Sequence, residues 1–175
     1  MWYVVQARTG SEESICRQCA VKIPESVLHK SFIPYYEERR KFRGEWITEK
    51  RRLFPGYVFL DTENVPDTFR YLREVIGLTK LLGVGDDIVP LTEAEEEFMR
   101  QFGGENQIVG LSELLFETSQ VRVLSGPLKG KEGLIKKIDK HRRKVYLELE
   151  LFGRLQKVEV GFEFALEKID EPVSS

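Results

Sequence analysis

The sequence predicts an α+β chain in two parts: an N-terminal α/β domain with an antiparallel sheet and helices, then a small all-β barrel. Three observations predict it. Apolar residues at helical spacing recur before residue 103, and no helical period of any length follows. Short strand-like runs separated by turns fill the C-terminal part instead. Charge also changes sign, because residues 1–117 carry 15 basic and 20 acidic side chains whereas 118–170 carry 12 and 8. Such asymmetry implies different partners for the two parts. The expected division is a domain over 1–103, a linker over 104–117, a barrel over 118–170 and a tail over 171–175.

Residues 2–7 are aromatic and β-branched, the composition of a strand. Thr9-Gly10-Ser11-Glu12 has the form of a capping box, after which Ile15, Cys16, Cys19, Ala20 and Ile23 share one helical face until Pro24. Strands at 32–38 and 46–52 flank Arg43-Gly44, which predicts a β-hairpin with a basic tip, and 57–60 form another strand after the Pro55-Gly56 turn. Pro66 and the spacing of Phe69, Leu72 and Val75 or Ile76 predict a second helix. Thr92-Glu93-Ala94-Glu95 is a second capping box, opening a third helix through Phe98, Met99 and Phe102 that Gly103-Gly104 ends. Residues 103–117, Gly-rich and then mildly apolar around Leu111 to Phe116, are expected to be a linker with room for one short helical turn. Strands are expected at 121–124, 132–138, 144–150 and 156–160.

With 41% apolar and 32% charged residues, the chain has material for two packed cores. No apolar run approaches the roughly 20 residues that span a bilayer. The opening Met1-Trp2-Tyr3-Val4-Val5 lacks the charged head and long apolar middle of a signal peptide. A cytoplasmic monomer without membrane association is expected.

Basic side chains concentrate late in the chain. Lys129, Lys131, Lys136, Lys137, Lys140, Arg142, Arg143 and Lys144, with His141 among them, face only Glu132 and Asp139, so a chain of net charge −2 carries a local +6. A solvated run of repelling charge is one account, and an electrostatic footprint for nucleic acid is the other. Arg142 or Arg143 could make bidentate contacts to phosphate or guanine edges. Selection of one RNA would rest on its loop or bulge, because side chains cannot read the A-form major groove. The β-hairpin holds a second basic group, with Arg39, Arg40, Lys41, Arg43, Lys50, Arg51 and Arg52 against Glu37, Glu38, Glu45 and Glu49. Cross-strand Glu–Arg pairs explain much of that group.

Catalytic chemistry finds no organiser. Gly83-Val84-Gly85-Asp86-Asp87 lacks the following helix of a dinucleotide fingerprint, and the two histidines, His29 and His141, lie in different regions. Cys16 and Cys19 sit inside a predicted helix, not at its N-terminus where the dipole lowers a thiol pKa, and four zinc ligands are not in view. A non-enzymatic regulator without cofactor or metal is expected. An enzyme using the cysteine pair and a ribosome-associated protein are the competing classes.

Three landmarks resemble the NusG family of transcription elongation factors over essentially the whole chain. They are Trp2-Tyr3-Val4-Val5 with Gly10, Leu53-Phe54-Pro55-Gly56-Tyr57-Val58-Phe59-Leu60, and Gly126-Pro127 with Gly133 and Phe152-Gly153-Arg154. The resemblance implies an N-terminal NGN domain and a C-terminal SH3-like barrel carrying the KOW motif. It implies docking on the clamp helices of bacterial RNA polymerase through an exposed aromatic patch of Phe54, Tyr57 and Phe59, with Leu81; the other account is that these residues are core of the domain and Pro55-Gly56 only a turn. It also sets the β-hairpin, with Arg39, Arg40, Lys41 and Arg43, near upstream or non-template DNA.

Departures point within the family. Where housekeeping members carry an Asn-Thr pair, this chain has Glu74-Val75-Ile76-Gly77, which cannot reproduce those contacts to non-template DNA. Where they carry two phenylalanines that engage a ribosomal protein or Rho, this chain has Leu128-Lys129-Gly130-Lys131-Glu132-Gly133, with Lys131 in place of the second aromatic. A barrel without its apolar docking turn and with a cationic run resembles the LoaP type. That resemblance implies processive antitermination of long operons, with the barrel binding a nascent RNA hairpin through Lys129, Lys131, Lys136, Lys137, Lys140, His141, Arg142, Arg143 and Lys144. Housekeeping NusG is the rival reading.

Overall fold

Alternation along two neighbouring strands sets the architecture of the N-terminal domain. The computed structural model describes residues 1–78 and 89–165. It opens with β1 (Trp2–Gln6), α1 (Glu12–Lys22), β2 (Lys30–Phe32), β3 (Tyr35–Phe42), β4 (Glu45–Arg52), β5 (Tyr57–Asp61) and α2 (Val65–Leu72). Then come β6 (Val89–Pro90), α3 (Glu93–Gly103), β7 (Ile108–Val109), β8 (Ser112–Phe116), β9 (Val121–Ser125), β10 (Ile135–Asp139), β11 (Lys144–Leu151) and β12 (Arg154–Phe164). A four-stranded sheet has the order β2-β5-β1-β6, with β1 antiparallel to β5. Because side chains alternate between faces, Val5, Val58 and Leu60 pack with Ile15 and Cys19 of α1 and Leu72 of α2. Trp2, Val4 and Phe59 pack on the other face with Met99 and Phe102 of α3.

Helix starts follow local chemistry, with one correction. Thr92 Oγ1 accepts from the Glu95 N–H at 3.1 Å while Glu95 Oε1 accepts from the Thr92 N–H at 3.0 Å, a complete capping box. Asn64 caps α2 through the Asp67 N–H. The box expected at Thr9–Glu12 does not form, since the N-cap position falls at Ser11, whose side chain makes no cap bond. The fully buried Glu12 instead accepts from the Gly10 and Gly56 N–H groups, at 2.5 and 3.0 Å, and pairs with Arg52 Nε at 3.3 Å. A carboxylate removed from water is stable only with such partners, and these tie the Pro55-Gly56 turn to the start of α1.

Within the stretch expected to be a linker, two short strands stand where a helical turn was expected. β7 pairs parallel with β3, extending the β-hairpin to a three-stranded sheet, and β8 joins the C-terminal five-stranded sheet of order β10-β11-β12-β8-β9. Leu114 on β8 is fully buried, so this segment supplies core. A two-residue β7 with Gly110 after it carries too little periodicity for sequence to reveal.

One apolar core is continuous between the two domains, joining Trp2, Phe54 and Phe59 to Leu149, Leu151, Phe152 and Val160. β12 crosses β3 so closely that a Cβ at Gly161 would overlap the Glu37 carbonyl oxygen and lie 2.9 Å from Glu38 Cα. Among the described residues no helix is long and apolar enough to cross a membrane.

Candidate nucleic-acid interface

The aromatic patch comes first, because its surroundings differ from expectation. Phe54 and Phe59 are buried and Tyr57 is half-buried, which corrects the exposed patch expected from sequence. The cover is Phe152, whose ring centroid lies 5.5 Å from Phe54, 5.7 Å from Tyr57 and 5.5 Å from Phe59. Phe152-Gly153 is the two-residue turn joining β11 to β12, with φ of +59° and +68°, as tight hairpin turns require. An aromatic in the left-handed region is uncommon and strained. Burial among three aromatic rings offsets that strain, and Glu95 Oε2 accepts the Phe152 N–H at 2.9 Å. Leu81 lies outside the described residues.

The basic run divides into two sets. Lys129, Lys136, Lys137, Lys140, His141 and Arg142 are exposed, with Lys136, Lys137 and Lys140 forming a basic ridge along β10 and the following turn, and His141 and Arg142 bordering a cleft shared with the β-hairpin. Lys137 and Lys140 lie over aromatic rings, Tyr146 at 5.7 Å and Phe116 at 4.3 Å. The remaining cations face the N-terminal domain. Lys131 Nζ is 5.6 Å from the Phe98 ring on α3. The Arg143 guanidinium stacks 3.7 Å above Trp46 of β4. Lys144 Nζ lies 3.0 Å from Glu38 and 3.4 Å from Glu159.

In the β-hairpin, Arg43-Gly44 forms the tip with both φ values positive. Arg40 pairs with Glu49 at 2.9 Å, and Arg51 binds Glu38, so the cross-strand pairing expected there exists. Arg39 donates to Thr48 Oγ1 at 2.9 Å and lies 3.4 Å from Glu163 of β12. Lys41 and Arg43 are exposed, and Arg43 lies 5.2 Å over Phe42. At the hairpin base, Arg52 donates to both oxygens of Glu13, at 2.9 and 2.8 Å. Those bonds hold the Glu13 carboxyl down at about 2. Burial and the Glu13 bond push the Tyr35 hydroxyl up to about 12.

Glu38 joins the domains. Burial opposes its ionisation, yet hydrogen bonds from Arg51 and Lys144 outweigh it and hold the carboxyl below the usual range. Sequence reasoning missed Glu38, Trp46, Phe152 and Gly161 as interface residues. Of these, only Phe152 carries a local signal, an aromatic where a hairpin turn favours Asn, Asp or Gly.

The cysteines take no part. Burial pushes the Cys19 thiol up to about 11 and Cys16 upward as well, the opposite of what a redox thiolate needs. Among the described residues no group of three or more His, Cys, Asp or Glu side chains could hold a metal ion.

An α/β domain bearing a basic β-hairpin, closed on a five-stranded sheet with a cationic edge, defines a two-domain α+β protein. Residues 1–100 match the family described as "Transcription termination factor nusG", and residues 119–148 match the KOW motif. The chain belongs to the NusG family of transcription factors. It is 30% identical over 183 residues to the transcription termination/antitermination protein NusG of Borreliella burgdorferi, covering 96% of this chain and 98% of that one. Against the protein of the same name from Bacillus subtilis it is 27% identical over 169 residues, covering 92% and 94%. It shares its fold with a solved structure titled "Domain interaction in Thermotoga maritima NusG", at TM-score 0.56 and 23% identity, covering 91% of this chain and 92% of that one.

Proposed function

We propose that this protein is a transcription elongation regulator that docks on RNA polymerase through its NGN domain and promotes processive antitermination of long operons. Its KOW barrel binds a nascent RNA hairpin, and its role is non-enzymatic, in the cytoplasm where polymerase and transcript meet. The observation that carries this reading is the exposed ridge of Lys136, Lys137 and Lys140, a cationic strand and turn suited to phosphates. Lys131 supports it from the other side, since it stands in place of an aromatic and lies over Phe98 of the protein's own α3.

Polymerase docking through Phe54, Tyr57 and Phe59 requires the barrel to leave, because Phe152 covers that patch. The β-hairpin residues Arg39, Arg40, Lys41 and Arg43 then face upstream or non-template DNA. The test is transcription through intrinsic terminators with and without an RNA hairpin in the leader. Read-through that needs both the hairpin and Lys136, Lys137 and Lys140 is expected. Read-through indifferent to both removes the antitermination reading.

The names of the relatives favour a second reading, a housekeeping NusG elongation and termination factor. Saturable binding of this protein to Rho or to a ribosomal protein would select it.

A further inference from the structure

Between the β-hairpin and the barrel lies a cleft of about 650 Å³, with Arg40, Lys41 and Trp46 on one side and His141 and Arg142 on the other. Its size falls within the range of ligand sites, about 300–1,000 Å³. Among the described residues Glu38 is the one acidic side chain lining it, and Arg51 and Lys144 already neutralise that carboxylate. Arg40 and Arg142 touch Glu49 and Asp139, at 2.9 and 3.9 Å, while Lys41 is exposed. Trp46 is half-buried, with Arg143 stacked on its ring at 3.7 Å and the indole still lining the cleft. A fixed aromatic platform among cations is the recurrent arrangement for single-stranded nucleic acid, where bases stack and cations follow the backbone. The barrel side of the cleft is the β10–β11 turn, the same turn that ends the exposed ridge of Lys136, Lys137 and Lys140.

We propose that this cleft binds single-stranded RNA, one base stacking on Trp46 and the adjoining phosphates meeting Lys41, Arg40 and Arg142. In the docked form the two basic elements then hold one strand together, whereas departure of the barrel leaves the β-hairpin open to DNA. This inference rests on the reading of the barrel as an RNA binder and adds the N-terminal domain to that site. The cleft exists only while the domains are docked, so a strand within it favours the docked form, and separation of the domains weakens its hold by the same factor.

The full-length protein is titrated at low salt with oligouridine and, separately, with a tail-less RNA stem-loop. Trp2 is 1% exposed, so quenching of tryptophan emission by oligouridine reports on Trp46. Trp46→Ala should weaken oligouridine binding roughly tenfold or more, Trp46→Phe should retain affinity while abolishing the quench, and Lys41→Glu should weaken binding without disturbing the fold. Stem-loop binding should be lost in Lys136→Glu/Lys137→Glu and be insensitive to Trp46→Phe. Wild-type oligouridine affinity in Trp46→Ala and Lys41→Glu overturns the cleft while leaving the barrel reading standing. Undiminished stem-loop binding in Lys136→Glu/Lys137→Glu overturns the barrel reading itself. Equal affinity for oligothymidine overturns the assignment to RNA.

Discussion

Lys144 Nζ of the barrel stands 3.0 Å from Glu38 Oε2 of the N-terminal domain, and the carboxylate it meets is buried. Arg51 binds the other oxygen, so one carboxylate is shared between its own domain and the next. The arrangement makes domain docking sensitive to anything that changes the charge of Glu38.

Acid is the simplest such change. The docked protein holds the Glu38 carboxyl below the ordinary 4.5, so its contribution is full above that value and is lost as pH falls through the depressed one. Small-angle scattering should show the protein extending below pH 4.5, before far-UV circular dichroism changes. Glu38→Gln should be more extended at neutral pH and lose this acid response. A wild-type radius that stays constant until global unfolding contradicts the prediction.

Phe152→Ala removes the ring that covers the aromatic patch. Deleting a buried Phe costs about 3–5 kcal/mol where the site cannot relax, and here separation of the domains offers relief. The variant should be more extended in scattering and bind a polymerase clamp-helix fragment more tightly than wild type. Adding Tyr57→Ala should reverse that gain. Phe59 is a poor choice for this test, because it is fully buried in the sheet and its loss would damage the domain.

Salt separates the two sets of cations. Binding of a structured leader RNA should fall with salt, each neutralised phosphate contributing a slope of roughly −0.7 to −0.9 in log K against log salt. Charge reversal at exposed Lys136, Lys137 or Lys140 should each remove about one unit of that slope. Lys144→Gln should leave stem-loop binding nearly unchanged, because its ammonium is committed to Glu38 and Glu159. Filter binding across a salt series reads the difference.

Arg52→Met tests the base of the β-hairpin. It strips Glu13 of a bidentate partner and leaves the buried Glu12 with only backbone donors. The expected loss is about 3 kcal/mol of stability, seen as an earlier midpoint in urea, and Arg52→Lys should recover part of it. An unchanged midpoint contradicts the role assigned to this cluster.

Local chemistry made much of the fold legible. Capping at Thr92, the turn residues Arg43-Gly44 and the alternation through Trp2 to Gln6 each act within a few residues, and each predicts its element correctly. The capping box at Thr9 failed because Glu12 found better donors 44 residues away at Gly56. The helical turn expected within the linker failed because β7 and β8 are made by pairing with β3 and β12, not by their own periodicity. The aromatic patch was recognised, but its cover was not. Phe152 lies far along the chain, and nothing near Phe54 or Tyr57 announces it. The same holds for the cleft, whose two walls look like separate basic runs until β12 is laid against β3.

Gly161 gives this arrangement a marker that can be read without coordinates. Its backbone touches that of Glu37 and Glu38 with no room for a single added carbon, and its φ is outside the left-handed region, so alanine there suits the barrel yet wedges the domains apart. Any relative with a side chain at the equivalent position is therefore unable to nest its barrel against the β-hairpin in this way. One letter of sequence thus marks the chains of this family that cannot adopt this closed form.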